Sequence, residues 1–86
     1  MTDYRPIDCA LYSRYEVAIL HRERLRVCWR DAAAVTHLEI LQPQDLQTRS
    51  GAEYLIATGK GGQRLELRLD RILEAMPLEE AGAHRP

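Results

Sequence analysis

The feature that most constrains the fold is an alternation of apolar and polar side chains that begins at residue 25. Leu25, Val27 and Trp29 take one side of the pattern, while arginines take the other. Across residues 64–70, leucines alternate with charged residues in the same way. Because successive side chains of a strand point to opposite faces, this period of two predicts β-strands. We therefore expect the chain after residue 25 to form short antiparallel strands.

Turn signals divide this region into strands. Pro43 cannot donate to a ladder, so we expect it to end a strand over residues 36–41. A short strand over 45–49 and a central strand over 53–58 follow, joined by a turn at Ser50-Gly51. Glycines at 59–62 mark a further hairpin turn. Ile72 breaks the leucine alternation, which predicts a bulge or a strand end near Arg71.

The segment before residue 25 predicts a helix at about residues 8–21. Asp8 is a suitable N-cap, and no Gly or Pro follows until after His21. Leu11, Tyr15 and Ala18 recur with the spacing of one buried helical face.

The predicted organisation is an extended arm over residues 1–7, one domain over 8–73 and a flexible tail over 74–86. A chain of 86 residues allows only one small domain. One helix and four or five strands on this scale favour a mainly β fold, a small and strongly bent antiparallel barrel with an N-terminal helix.

Composition narrows the classes of function. With 12 basic and 13 acidic side chains the net charge is −1, so nucleic acid and anionic membranes exert no bulk attraction. Two cysteines, the lack of a signal sequence and the lack of an apolar run long enough to span a membrane predict a cytoplasmic protein.

No pattern typical of catalysis or of a cofactor is present. Cys9 and Cys28 lie far apart, and zinc needs about four ligands at recognisable spacings. No nucleophile is paired with a base. We therefore expect no enzymatic activity, no metal and no cofactor.

Two aromatic residues allow two interpretations. Trp29, with Arg24, Arg26 and Arg30 around it, is compatible with an RNA-binding surface. Because Trp29 shares the side of Leu25, a core position with ordinary solvated arginines is favoured. Tyr12 suits a core and an interface anchor equally.

Several segments, in their order along the chain, resemble the Rof family of bacterial Rho-binding antiterminators. The similarity extends over residues 4–73. The matching segments are Tyr4-x-Pro6-Ile7-Asp8-Cys9, Tyr12, Glu16, Ala18, His21, Asp45-Leu46, Glu53-Tyr54-Leu55 and Leu67-Arg68-Leu69-Asp70-x-Ile72.

The resemblance implies an Sm-like barrel and a protein-binding function. Relatives of this family bind the RNA-binding N-terminal part of the termination factor Rho, block RNA loading and inhibit termination. The partner-facing residues it implies are Tyr12, Ser13, Glu16 and Arg49. We expect a monomer when the protein is free, and direct binding of nucleic acid is not expected.

The alternative is an Sm-like RNA-binding module that uses Arg26, Arg30 or Arg68.

Overall fold

The computed structural model describes residues 9–78. The elements, in chain order, are α1 Cys9–His21, β1 Leu25–Arg30, β2 Thr36–Arg49, β3 Ala52–Thr58, β4 Arg64–Arg68, a 3₁₀ turn Leu69–Arg71 and β5 Ile72–Pro77. The predicted arm over residues 1–7, the Asp8 cap and residues 79–86 of the predicted tail lie outside the described residues.

The five strands form one antiparallel sheet in the order β4-β3-β2-β1-β5. The prediction of a mainly β fold with one N-terminal helix is therefore confirmed. The predicted barrel is not. β4 and β5 are the two edges of the sheet and do not pair with each other, so the sheet stays open.

β2 is the longest strand and belongs to both halves of the sheet. Its residues 36–41 pair with β1, and its residues 42–49 pair with β3. The pairing register shifts between Pro43 and Asp45. The prediction that Pro43 ends the strand is wrong, because a β-bulge accommodates a residue that donates no ladder hydrogen bond while the strand bends and continues.

The sheet also extends further along the chain than expected. Residues 74–77 were predicted to belong to the tail, but they form most of β5, which pairs with β1. The 3₁₀ turn Leu69–Arg71 separates β5 from β4, and this turn accounts for the break in alternation at Ile72.

The end of α1 shows why the chain turns sharply into β1. Arg22 adopts a left-handed conformation with φ 57°. Its amide donates to the Ile19 carbonyl at 3.2 Å, and the Glu23 amide donates to the Ala18 carbonyl at 2.9 Å. This pair of hydrogen bonds is the Schellman ending, in which the final carbonyls of a helix are satisfied as it stops.

The core lies between α1 and the inner side of the sheet. Tyr15 and Ala18 of α1 pack into a cluster of buried residues from every strand; its fully buried members include Leu25, Val27, Leu41, Leu55 and Leu69. The Tyr15 hydroxyl is buried and has no hydrogen-bond partner among the described residues. Burial raises the pKa of Tyr15 to about 12.

No helix within residues 9–78 is long and apolar enough to cross a membrane.

Candidate functional site

An open cleft of about 400 Å³ lies where the end of β1 meets β3, β4 and the 3₁₀ turn. We call it the arginine cleft. Its lining includes the side chains of Trp29, Arg30, Tyr54, Glu66, Arg68 and Arg71.

Asp31 builds the turn that follows β1 at one side of the cleft. Its Oδ1 accepts hydrogen bonds from the amides of Ala33 at 2.9 Å and Val35 at 3.0 Å. Nε2 of His37 donates to its Oδ2 at 2.7 Å. The hydrogen bond from His37, followed by the one from the Val35 amide, lowers the pKa of Asp31 below its usual value. The carboxylate thus holds the turn in place.

Trp29 connects this turn to the core. Its side chain is only 6% exposed, which confirms the predicted core position. The His37 ring stacks on the indole with ring centroids 5.1 Å apart and planes inclined by 16°. Such offset stacking between planar rings adds to the stabilisation from burial. The indole is therefore fixed where its edge meets the cleft.

The opposite wall depends on the tight turn between β2 and β3. Arg49 pairs with Ala52 across it, and the two turn residues, Ser50 and Gly51, have φ values of 51° and 79°. Two consecutive left-handed residues form the hairpin turn that matches the natural twist of the strands, and glycine adopts this conformation without strain. The turn sets the position of Arg49 above β3.

Arg49 then contacts two residues of the wall. Its guanidinium lies 4.4 Å from the centroid of the Tyr54 ring and donates to Glu66 Oε1 at 2.6 Å. Nε of Arg64 donates to the other carboxylate oxygen of Glu66 at 3.2 Å. Arg49, and then Arg64, lower the pKa of Glu66. The two arginines thus neutralise Glu66 and fix it in place.

Arg68 and Asp70 form the most buried ion pair in the described part of the chain. Their side chains are 15% and 9% exposed. Nε and Nη2 of Arg68 donate to the two carboxylate oxygens at 3.1 and 2.8 Å. Such a bidentate pair fixes the guanidinium plane, so Arg68 supports the floor of the cleft as a rigid group.

Arg30 and Arg71 differ from these arginines. Within residues 9–78 neither forms an ion pair or a side-chain hydrogen bond, yet both line the cleft. Of the charged side chains that line the cleft, three are arginines (Arg30, Arg68 and Arg71) and two are carboxylates (Asp31 and Glu66). Since the whole chain has a net charge of −1, positive charge is concentrated here.

Two other hollows have similar volumes but a different character. One of about 410 Å³ lies at the end of α1 beside Pro77, and one of about 450 Å³ lies beside Pro43. Neither is lined by a tryptophan or tyrosine among the described residues. No group of three or more His, Cys, Asp or Glu side chains in residues 9–78 is placed to hold a metal ion.

The predicted partner-facing residues of α1 lie away from this cleft. Tyr12 is half-buried and packs against the core, whereas Ser13 and Glu16 are exposed. Burial is the main cause of the raised pKa of Tyr12, and the neighbouring carboxylates of Glu53 and Glu16 add to it. Tyr12 therefore lies in an acidic environment on the helix side of the sheet.

Arg49, the fourth predicted residue, is bound into the wall of the cleft through Tyr54 and Glu66. The structure thus brings Tyr12 near Glu16 but assigns Arg49 to a different site. That Tyr12, Ser13 and Glu16 form a protein-contact surface stays a prediction.

Reasoning from sequence missed Arg30, Tyr54 and Arg71 as members of one site. Arg30 was interpreted as an ordinary solvated residue because it alternates with Trp29. The break in alternation near Arg71 was the available signal, since an irregular strand end redirects side chains.

Comparison with known proteins relates the chain to one protein family and to solved structures. The profile of one protein family, described as the WYL domain, matches residues 10–77. Among solved structures, proteasome accessory factor B/C (PafBC) of Arthrobacter aurescens is similar, with a TM-score of 0.76 and 18% sequence identity. The similarity covers 100% of this chain and 15% of that chain, so this chain spans a small part of that protein's length. No curated protein matches.

These matches correct the earlier resemblance. The proposed kinship with the Rof family is wrong, because the family profile that covers residues 10–77 is a different one. Rho binding, blocked RNA loading and inhibition of termination lose their basis with it, and so does the alternative of an Sm-like RNA-binding module. The likeness to PafBC, at 18% identity, shows the fold alone.

Proposed function

The chain belongs to the WYL domain family, and from that premise we propose that it is a non-enzymatic domain whose arginine cleft binds a small anionic ligand that carries a planar ring. A nucleoside phosphate has this chemistry. The domain then acts as the ligand-sensing part of a regulator. We also propose that the protein is cytoplasmic. We further propose that its bent open sheet, whose two halves share β2, is related to Sm-like folds.

The observation that carries the proposal is the pair Arg30 and Arg71. Two guanidiniums that line one cleft without a carboxylate partner in the described part of the chain gain from an anion bound in it. Guanidinium groups suit phosphate and carboxylate because their parallel N–H donors match two oxygens at once.

The other charged groups of the cleft are already fixed. Arg68 is held by Asp70, and Arg49 is held by Glu66 and by the Tyr54 ring. Since these side chains are ordered before a ligand arrives, binding costs less side-chain entropy. The edge of the buried Trp29 indole and the half-buried Tyr54 border the cleft beside the charge, which favours a ligand with a planar ring.

Absence of enzymatic activity is proposed from the chemistry of the same walls. The carboxylates of Glu66 and Asp31 are engaged by arginines and by His37. Cys28 lies in the middle of β1, on the side of the strand opposite Trp29. The described residues of the cleft thus offer charge and shape, and among them no nucleophile has a base beside it.

Isothermal titration calorimetry tests the proposal with three probes: adenosine triphosphate, tripolyphosphate and adenosine. We expect the triphosphate nucleotide to bind more tightly than either the anion or the ring alone, with an affinity that falls as salt is raised. Absence of binding by all three probes at millimolar concentration would count against the ligand class.

Substitutions then locate the site. Arg30→Ala and Arg71→Ala each remove a charge-assisted contact worth about 1.5–3 kcal/mol, which corresponds to roughly a tenfold to hundredfold loss of affinity. Arg26→Ala is the matched control, because Arg26 is an exposed arginine of the same strand outside the cleft. Equal losses for Arg26→Ala and Arg30→Ala, with unchanged circular dichroism, would place the ligand elsewhere.

A further inference from the structure

The first half of β2 turns its apolar side chains away from the core. Leu38 is 63% exposed and Ile40 is 37% exposed, whereas His37 and Glu39 on the other side are half-buried. Antiparallel strands with one solvated face normally place apolar groups inward and polar groups outward. This part of β2 has the opposite arrangement.

The register of the sheet explains the inversion. His37 pairs with Trp29 across the ladder and stacks on its ring. Because side chains alternate with a period of two, an inward His37 forces Leu38 and Ile40 outward. Their exposure is therefore built into the pairing and is not the result of a frayed strand.

The neighbouring strands continue the apolar surface. Cys28 of β1 lies between Leu38 and Glu74, and Arg26 lies between Ile40 and Met76, which is 37% exposed. We call this surface the outer face. It consists of Arg26, Cys28, Leu38, Ile40, Glu74 and Met76. Exposed apolar side chains grouped with charged ones on one face are typical of a site where another molecule docks.

The two charges of the outer face identify the occupant. Arg26 and Glu74 lie in adjacent rows on neighbouring strands. Neither has an ion-pair partner among residues 9–78. A surface that carries one cation and one anion beside an apolar area is complementary to itself, which is what a twofold-symmetric interface requires.

We propose that the outer face is the interface between two copies of this chain. A twofold axis between Arg26 and Glu74 brings each Arg26 opposite the Glu74 of the second copy. The same axis passes close to Cys28, because Cys28 lies beside Glu74 in one row and next to Arg26 along the strand. Burial of Leu38, Ile40 and Met76 drives association, and the charge pairs set its register.

This dimer departs from the expectation of a free monomer, which was based on the Rof resemblance. It is independent of the ligand proposed for the arginine cleft, since none of the six outer-face residues lines that cleft. A neighbouring domain of a longer protein is the competing occupant, and it predicts that this chain alone stays monomeric.

Sedimentation equilibrium of the reduced 86-residue chain is the test. We expect a reversible dimer. Leu38→Lys should yield a monomer at the same concentrations, while Leu20→Lys should stay dimeric, because Leu20 is an equally apolar residue of α1 and is 78% exposed. A wild-type chain that is monomeric at all concentrations, or equal dissociation by both variants, overturns the proposal.

Charge exchange tests the register within that dimer. Arg26→Glu and Glu74→Arg should each raise the dissociation constant by about tenfold or more, because like charges then face each other, and the double variant should restore it. A double variant as weak as the single ones overturns the assigned pairing.

Cross-linking tests the position of the axis. With copper phenanthroline as the oxidant, Cys9→Ser should form a disulfide-linked dimer through Cys28, and Cys28→Ser should form none through this face. A dimeric Cys9→Ser chain that fails to cross-link overturns the axis proposed here.

Discussion

The arginine cleft and the outer face share no residue, yet both are built from neighbouring residues of β1. Trp29 reaches the cleft, while Arg26 and Cys28 belong to the outer face. In the cleft, polar groups are fixed by ion pairs and ring contacts. On the outer face, apolar groups are exposed to solvent. One short strand thus contributes residues to both surfaces.

The difference also lies in what each surface gains from a partner. When an anion binds, the arginines of the cleft lose hydration and gain directed hydrogen bonds. The affinity should therefore depend on geometry and on salt concentration. The outer face gains from removing apolar groups from water, which has little directional demand. Substitutions on one surface should therefore leave the other unchanged, and the following predictions test that separation.

The largest contrast is expected between Trp29 and Leu38. Trp29→Ala should lower the free energy of unfolding by about 3–5 kcal/mol, since it removes a buried aromatic side chain and the stack with His37. Leu38→Ala should change it by less than about 0.5 kcal/mol in dilute, monomeric protein. Urea denaturation measures both values. Similar decreases in the free energy of unfolding for the two variants would mean that Leu38 packs within a single chain, and would contradict the proposed difference between the two surfaces.

Tyr15, in the core that supports both surfaces, provides a second prediction. Its raised folded pKa means that the unfolded chain ionises first between pH 10.0 and about 12, so stability is kept below that range and declines through it. The decline amounts to about 2–3 kcal/mol. Tyr15→Phe should lose this decline.

At neutral pH, Tyr15→Phe should be as stable as the wild-type chain or more stable by about 1 kcal/mol, because the buried hydroxyl has no partner in residues 9–78. Urea denaturation at neutral pH and at about pH 11 gives the comparison. A clear loss at neutral pH would indicate that the hydroxyl is hydrogen-bonded.

The smallest effect on stability is expected from a substitution of Asp31. Its dependence on pH should be seen for this residue of the cleft and not for residues of the outer face. The lowered folded pKa of Asp31 contributes stability above its usual value of 3.8, and that contribution is lost as pH falls through the lower folded value. Asp31→Asn should therefore lower the free energy of unfolding at neutral pH. In acid, the free energies of unfolding of the variant and of the wild-type chain should approach each other. Denaturation midpoints across this range measure the difference. Leu38→Ala is the control, and its difference from wild type should not vary with pH.

The sequence predicted what depends on neighbours along the chain. Apolar spacing located α1 and the core position of Trp29, and the glycine-containing turns separated β2, β3 and β4. The sequence did not show which side of β2 faces the core. Alternation separates its side chains into two sets but does not indicate which set is buried. The stack of His37 on Trp29 makes that choice, and it depends on pairing between strands.

Two further failures have local causes. Pro43 was expected to end a strand, since the rule that excludes proline from ladders does not foresee a bulge. Arg30 is exposed, as its alternation with Trp29 predicts, but alternation did not indicate that Arg30 also lines the cleft beside the turn at Asp31.

The family was misidentified for a related reason. The segments that supported it, such as Glu53-Tyr54-Leu55 within β3 and Leu67–Ile72 around the 3₁₀ turn, are the ones that build a helix, strands and hairpins. Requirements of folding are shared by unrelated families, whereas function depends on a specific site. Arg30 and Arg71, which line the cleft, belong to no motif.

The open edges of the sheet have a consequence for how the protein avoids aggregation. Three of the five residues of β4 are charged, and Arg64 and Glu66 are already engaged with each other. On β5, Pro77 lacks an amide hydrogen. Both features oppose the addition of a foreign strand, which would otherwise continue from chain to chain into a fibril. When two chains pair through their outer faces, in contrast, both faces are occupied. This architecture therefore permits association into a dimer without further growth.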